Sequence, residues 1–189
     1  MTVPGFASFD TPVGRCAVAW SEDGAVGGVR LPGRDDARAW PGLREGEPPE
    51  RVARVIARVR ALLEGAADDL ADVELDLSGV PEFHRRVYAV ARGISPGRTR
   101  TYGEVARALG EPGAAQAVGQ ALGRNPFPIV VPCHRVLAAG GATGGFSAPG
   151  GTATKLRLLA LEGRPELAGT LSLFGDADGT DDPAPRGES

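Results

Sequence analysis

The strongest chemical signal in the sequence is the run Pro132-Cys133-His134-Arg135, in which a thiol, an imidazole and a guanidinium follow one another. Cysteine attacks as its thiolate, and a nearby histidine, positive charge or helix N-terminus generates or stabilises that anion. Neighbours on an extended segment point to opposite sides, so adjacency alone does not bring the His134 ring onto the Cys133 thiol. A bridging water can carry the proton instead, with Glu162 orienting the imidazole as the third member of a relay. The competing reading is a buried, inert thiol behind the apolar strand Ile129-Val130-Val131. Two widely separated cysteines, Cys16 and Cys133, no CxxC pair and two histidines support neither a disulfide framework nor a zinc site. Cys16 is read as a core strand residue, and neither metal nor cofactor is implied.

The elements around this run fall into two kinds. Up to residue 79 the chain reads as a small α/β unit. Phe6 to Phe9 and Arg15 to Trp20 flank the turn Thr11-Pro12-Val13-Gly14, a third strand is predicted from Ala25 to Leu31, and Val73 to Leu77 alternates as another. Between them Glu50 to Leu63 places Val52, Val55, Ile56, Val59, Leu62 and Leu63 at helical spacing. From 80 to 165 the sequence is mainly helical. Glu82 to Arg92 is one helix, and Thr101-Tyr102-Gly103-Glu104 is a capping box opening a second, which runs to about Leu109. Ala114 to Gly123 is a third, rich in Ala and Gly, and Lys155 to Leu161 a last one. Two short helices across the Gly110-Glu111-Pro112-Gly113 break form a helix-turn-helix candidate, a pattern shared with αα-corners that have no DNA role. The fold class is therefore α+β: a small N-terminal α/β domain with an antiparallel sheet (1–79), a winged-helix-like C-terminal domain carrying the site (80–165), and an acidic tail (166–189) expected to be disordered.

Composition sharpens the division. Of 189 residues 42% are hydrophobic and 24% charged, which excludes a fibrous or wholly disordered chain. The net charge of −3 hides a segregation: residues 80–165 hold 11 Lys and Arg against 4 Asp and Glu, whereas 1–79 hold 9 against 14 and 166–189 hold 1 against 6. The basic middle block suits a phosphate backbone, or is simply a solvated face. No apolar run reaches the ~20 residues of a membrane span and no signal peptide is evident, so a cytoplasmic protein without membrane contact is expected. Nothing calls for an obligate oligomer.

The string Asn125-Pro126-Phe127-Pro128-Ile129-Val130-Val131-Pro132-Cys133-His134-Arg135-Val136 strongly resembles the active-site signature of the O6-alkylguanine-DNA alkyltransferases. The resemblance extends upstream through Thr101 to Glu104 and Ala117-Val118-Gly119, and downstream through Gly145-Phe146-Ser147, Lys155 and Leu161-Glu162-Gly163. It implies direct reversal of DNA damage. Cys133 would keep the alkyl group irreversibly, His134 would take the thiol proton through a water, and Glu162 would complete the relay. Tyr102 would bond guanine N3 and help turn the nucleotide out of double-stranded DNA, and Asn125 would be the hinge between recognition helix and active-site strand. Val136, Phe146, Ser147 and Leu122 would line the substrate pocket, with Arg135 making structural hydrogen bonds. Thr101, Ala114, Ala115, Gln116, Ala117, Gly119 and Arg124 would meet DNA, the second helix entering the minor groove and Ala121 adding to its small surface.

The sequence departs from the family pattern at several points. Gln116 stands where an arginine usually fills the gap left by the flipped nucleotide, and Phe146 replaces a tyrosine. His84 and Tyr88 replace glutamine and tryptophan, read as packing changes, and the loop after Phe146 is about two residues longer than usual. The alternatives are a lesion sensor of the alkyltransferase-like kind, which lacks the cysteine, and a cysteine hydrolase unrelated to DNA, which leaves Tyr102, Asn125 and the basic block unexplained.

Overall fold

The computed structural model describes residues 4–33, 40–146 and 150–163. The Ser147 and acidic-tail expectations lie outside these residues. A four-stranded sheet forms from β1 (Gly5–Thr11), β2 (Gly14–Trp20), β3 (Val26–Arg30) and β4 (Arg44–Glu45), in the order β3-β2-β1-β4. β1 and β2 pair antiparallel in register from Gly5↔Trp20 to Thr11↔Gly14, so Pro12 and Val13 form a two-residue hairpin loop. Gly14, at φ +118, occupies a backbone conformation that other residues resist. β3 adds antiparallel to β2, whereas β4 runs parallel to β1 over two residue pairs.

Helix α1 (Glu50–Leu63) lays the six apolar residues of its stripe on this sheet, where they meet Cys16, Val18 and Trp20. Cys16 is fully buried, as a core strand residue should be. The predicted strand at 73–77 reduces to one bridge, Val26↔Leu75. Only the Glu74 carbonyl and the Asp76 N–H reach Val26, so the alternation at 73–77 reflects burial of Val73 rather than a ladder.

Beyond residue 80 come α2 (Glu82–Arg92), the two-residue β5 (Arg100–Thr101), α3 (Tyr102–Ala108), α4 (Ala115–Gly123), a 3₁₀ turn at Cys133–Arg135, β6 (Val136–Leu137), a second 3₁₀ turn at Ala139–Gly141 and α5 (Gly151–Leu161). The capping box is complete: Glu104 N–H donates to Thr101 Oγ1, and Thr101 N–H donates to Glu104 at 2.6 Å. Together α3 and α4 make the helix-turn-helix. β5 pairs in parallel with β6, which fixes the start of α3 beside the segment that follows the cysteine. One hydrophobic core runs without a break from the sheet and α1 through Leu70, Val87 and Val105 to Cys133 and Leu158.

Two further expectations are corrected. Residues 129–131 do not form a strand. Asn125 folds the segment on itself, its Nδ2 donating to the Val131 carbonyl at 2.9 Å and its Oδ1 accepting from Phe127 N–H at 2.9 Å. Ile129 there has φ +76, an outlying conformation for a β-branched residue. The last helix begins at Gly151 rather than Lys155, after Gly150 in the left-handed region.

Candidate active site

Cys133 opens the 3₁₀ turn, so it and His134 are not on extended backbone as the sequence suggested. The turn follows from Pro132, whose carbonyl accepts from Arg135 N–H at 2.9 Å. It buries three successive polar side chains, and each must find a partner. His134 Nε2 lies 2.9 Å from Glu162 Oε1. Arg135 donates to the same carboxylate through Nε and Nη2, at 2.7 to 3.1 Å, and through Nη1 to the Ile94 carbonyl at 2.6 Å. Although Glu162 follows the end of α5, its side chain is only 3% exposed.

This arrangement fixes protonation states. Burial pushes the Glu162 carboxyl up, but hydrogen bonds from His134 and Arg135 outweigh it and hold the group down at about 2. Burial also holds His134 below its ordinary value, against the pull of Glu162, so the ring is neutral. A carboxylate accepts only, so Nε2 carries the ring hydrogen and Nδ1 is the basic nitrogen. Nδ1 is buried without a hydrogen-bond partner from the protein. Cys133 is 8% exposed, and burial raises its thiol, opposed by a hydrogen bond from Asn125 and the charge of Lys155. At rest the site holds a thiol and a neutral imidazole.

Lys155 is the functional candidate to which the sequence reading gave no role. It is 0% exposed, donates to the Val136 carbonyl at 2.7 Å and lies 5.8 Å from the centre of the Tyr102 ring. Burial lowers it to about 8, with the Cys133 charge pulling the other way. A lysine on the buried side of a helix whose one other charged residue is Arg157 was the available signal, since lysines are almost never fully buried without a partner.

Tyr102 is half-buried, at the first position of α3. A Cβ on Gly144, which has φ +62, would crowd its ring at 3.1 Å, whereas one on Gly119 would only touch it at an ordinary 3.8 Å, so it is at Gly144 that glycine is needed for the phenol to lie between α4 and the 144–145 loop. Among the described residues the hydroxyl reaches only the Gly145 carbonyl, at a long 3.5 Å, and burial raises its pKa, keeping the phenol a donor. Leu122 and Val136 are buried and Phe146 is half-buried. Of the residues expected on DNA, Gln116, Ala117 and Arg124 are exposed, and Thr101, Ala114, Ala115 and Gly119 partly so. Ala121 is fully buried, and its carbonyl accepts from Tyr88 Oη at 3.0 Å, so it packs the helix inward and is not part of the outer surface. That bond also gives the Tyr88 replacement a polar tie to α4.

Comparison with known proteins places this geometry. Residues 82–164 match the family model described as 6-O-methylguanine DNA methyltransferase, DNA binding domain. A methylated-DNA–protein-cysteine methyltransferase of Mycolicibacterium paratuberculosis is 40% identical over 169 residues, covering 89% of this chain and 98% of that protein. The chain belongs to the methylated-DNA–protein-cysteine methyltransferase family. Its namesake from Methanothermobacter thermautotrophicus is 37% identical over 77% of this chain and 78% of its own length. Among solved structures, Mycobacterium tuberculosis OGT in complex with DNA is similar with a TM-score of 0.72 and 34% identity, covering 84% of this chain and 92% of that one. An O6-methylguanine-DNA methyltransferase from Pyrococcus kodakaraensis matches with a TM-score of 0.56 at 28% identity, covering 84% of this chain and 99% of that one.

Proposed function

We propose that this methyltransferase repairs O6-alkylguanine in double-stranded DNA by moving the alkyl group to Cys133, once per molecule. The observation that carries this reading is a buried thiol followed, on the same 3₁₀ turn, by an imidazole whose Nε2 is held by a carboxylate and whose Nδ1 has no partner among the described residues and is free to accept. The thiol proton passes to His134 Nδ1 through a water, and Glu162 stabilises the imidazolium. The sulfur then attacks the alkyl carbon, forming an S–C bond as the bond from that carbon to O6 breaks. The electron pair of the broken bond stays on the guanine, and one proton returns to make it neutral. Tyr102, a donor with almost no partner, stabilises that developing charge. Lys155 lowers the cost of the thiolate in a dry site.

Access requires the nucleotide to leave the stack. The basic block and the exposed small residues of α4 suit a helix laid against the backbone, giving affinity with little sequence preference. Asn125 joins the end of that helix to the cysteine segment, and Leu122, Val136 and Phe146 enclose the base. We further propose a division into 1–79, 80–165 and a tail at 166–189, action as a monomer, and a cytoplasmic location, since an acceptor thiol must stay reduced.

The test is intact and peptide-level mass spectrometry after incubation with a duplex containing O6-methylguanine. One methylene mass per molecule on the Cys133 peptide is expected. Tight lesion binding without that addition would make the chain a sensor, and neither would return Cys133 to an inert core thiol.

A further inference from the structure

We propose that Arg92 is a positioning residue for this reaction: by tying the end of α2 to three carbonyls of the 70–73 loop, it holds the turn that sets Arg135 and Glu162 behind His134. The proposal rests on the transfer mechanism above and goes beyond it by assigning a role to the sheet-bearing half of the chain.

Arg92 is the last residue of α2, and its Nη2 donates to the carbonyls of Leu70, Ala71 and Val73 at 3.1, 2.8 and 2.7 Å. These carbonyls converge because Leu70 takes φ +54, with Asp68 Oδ1 accepting from its N–H. The loop is in turn fixed to α1, where Arg58 binds both Asp68 and Asp72. Arg92 thus clamps α2 to a segment already bolted to the first helix. Among the described residues no carboxylate hydrogen-bonds to it, and its Nε is buried without a partner, so burying the guanidinium here carries a desolvation cost that the carbonyl clamp alone offsets.

The turn that follows has two contacts with the relay. The Ile94 carbonyl accepts from Arg135 Nη1 at 2.6 Å. Gly97, at φ +71, lies so close to Glu162 that a Cβ on it would stand 3.0 Å from the Glu162 carbonyl oxygen. Arg135 therefore has one end on this turn and the other on the carboxylate. Glu162 Oε1 is shared between Arg135 and His134 Nε2, so a shift of the turn redistributes that oxygen between them. The charged and titratable groups acting on the ring are Glu162, Arg135 and Lys155, with the Cys133 thiol preceding it in the chain. Of these, the 93–97 turn accepts a hydrogen bond from the Arg135 guanidinium and packs against the backbone of Glu162.

The experiment compares full-length wild type, Arg92→Met and Arg92→Lys in single-turnover transfer from an O6-methylguanine duplex and from free O6-benzylguanine, between pH 5.5 and 9. For Arg92→Met we expect transfer about tenfold slower with both substrates, the size of effect a small misplacement of a catalytic group produces. We also expect the midpoint of the acidic limb to move by about half a pH unit or more, because the carboxylate no longer holds the ring as before. Arg92→Lys, whose ammonium can still reach carbonyls of the loop, should recover most of both. A lower melting temperature with an unchanged midpoint in the folded fraction would overturn the proposal. If Arg92→Met does not fold, a wild-type profile for Arg92→Gln, which has too short a reach to span the three carbonyls, would overturn it equally. Failure of wild-type protein to transfer at all would refute the mechanism and not the role of Arg92.

Discussion

Replacing Glu162 by Gln keeps the shape of the relay and removes its charge. The carboxyl sits at about 2 instead of its ordinary 4.5, which corresponds to about 3 kcal/mol favouring the folded state when it is ionised. The side chain is 3% exposed, so solvent screening takes little from this figure. The substitution also leaves Arg135 buried without its counter-charge, a change of the same sign. Because the folded-state value lies below the unfolded one, the contribution is complete above pH 4.5 and disappears as pH falls toward 2. Glu162→Gln should therefore lose about 3 kcal/mol at pH 7 and about half as much at pH 3, read from urea unfolding of both proteins at each pH. A loss below about 1 kcal/mol at pH 7, the level of an exposed ion pair, would refute the reasoning. So would an equal loss at both pH values.

Cys133→Ala should abolish transfer while keeping affinity for a lesion duplex, checked by mass spectrometry and a binding titration. Lys155→Met is expected to slow transfer by about tenfold, one less cation beside the thiolate, measured as a single-turnover rate. Since folding lowers Lys155 from 10.5 to about 8, wild-type stability should rise between pH 8 and 10.5, and the Met variant should lack that rise in denaturant titrations. Gln116→Arg should speed reaction with duplex more than with a free O6-alkylguanine base. Equal acceleration of both would remove Gln116 from any part in flipping.

What could be read from the sequence was what local chemistry determines. The capping box at 101–104 needs only four residues, and α1 declares itself through six apolar positions on one stripe. The nucleophile and its relay were legible as residue types, through the Asn125 to Val136 string. Hidden features were those that depend on distant partners. β4, β5 and β6 are two-residue pairings with no pattern of their own. The left-handed Ile129 follows from Asn125 bonding across its own loop, and an apolar run therefore became a knot of turns instead of a strand. Ala121 looked like part of a small outer face because helical spacing does not say which neighbour, the Tyr88 hydroxyl or solvent, it meets. Lys155 was visible as a letter but not as a buried cation, since its burial is decided by where α5 docks.

The slot that holds Tyr102 has a mechanical consequence. Gly144 crowds one side of it, where a Cβ would stand 3.1 Å from the ring, and Gly119 of α4 faces the ring at ordinary contact distance; neither has a side chain that could rotate to absorb a displacement. The ring is carried by α3, so α4 acts on it only through backbone packing at Gly119. Gln116 and Ala117 are exposed on that same helix, one turn or less from Gly119. A displacement of the outer face of α4 therefore meets the phenol through a glycine and not through a side chain that could rotate away, which couples the exposed surface of that helix to the direction of the Tyr102 ring.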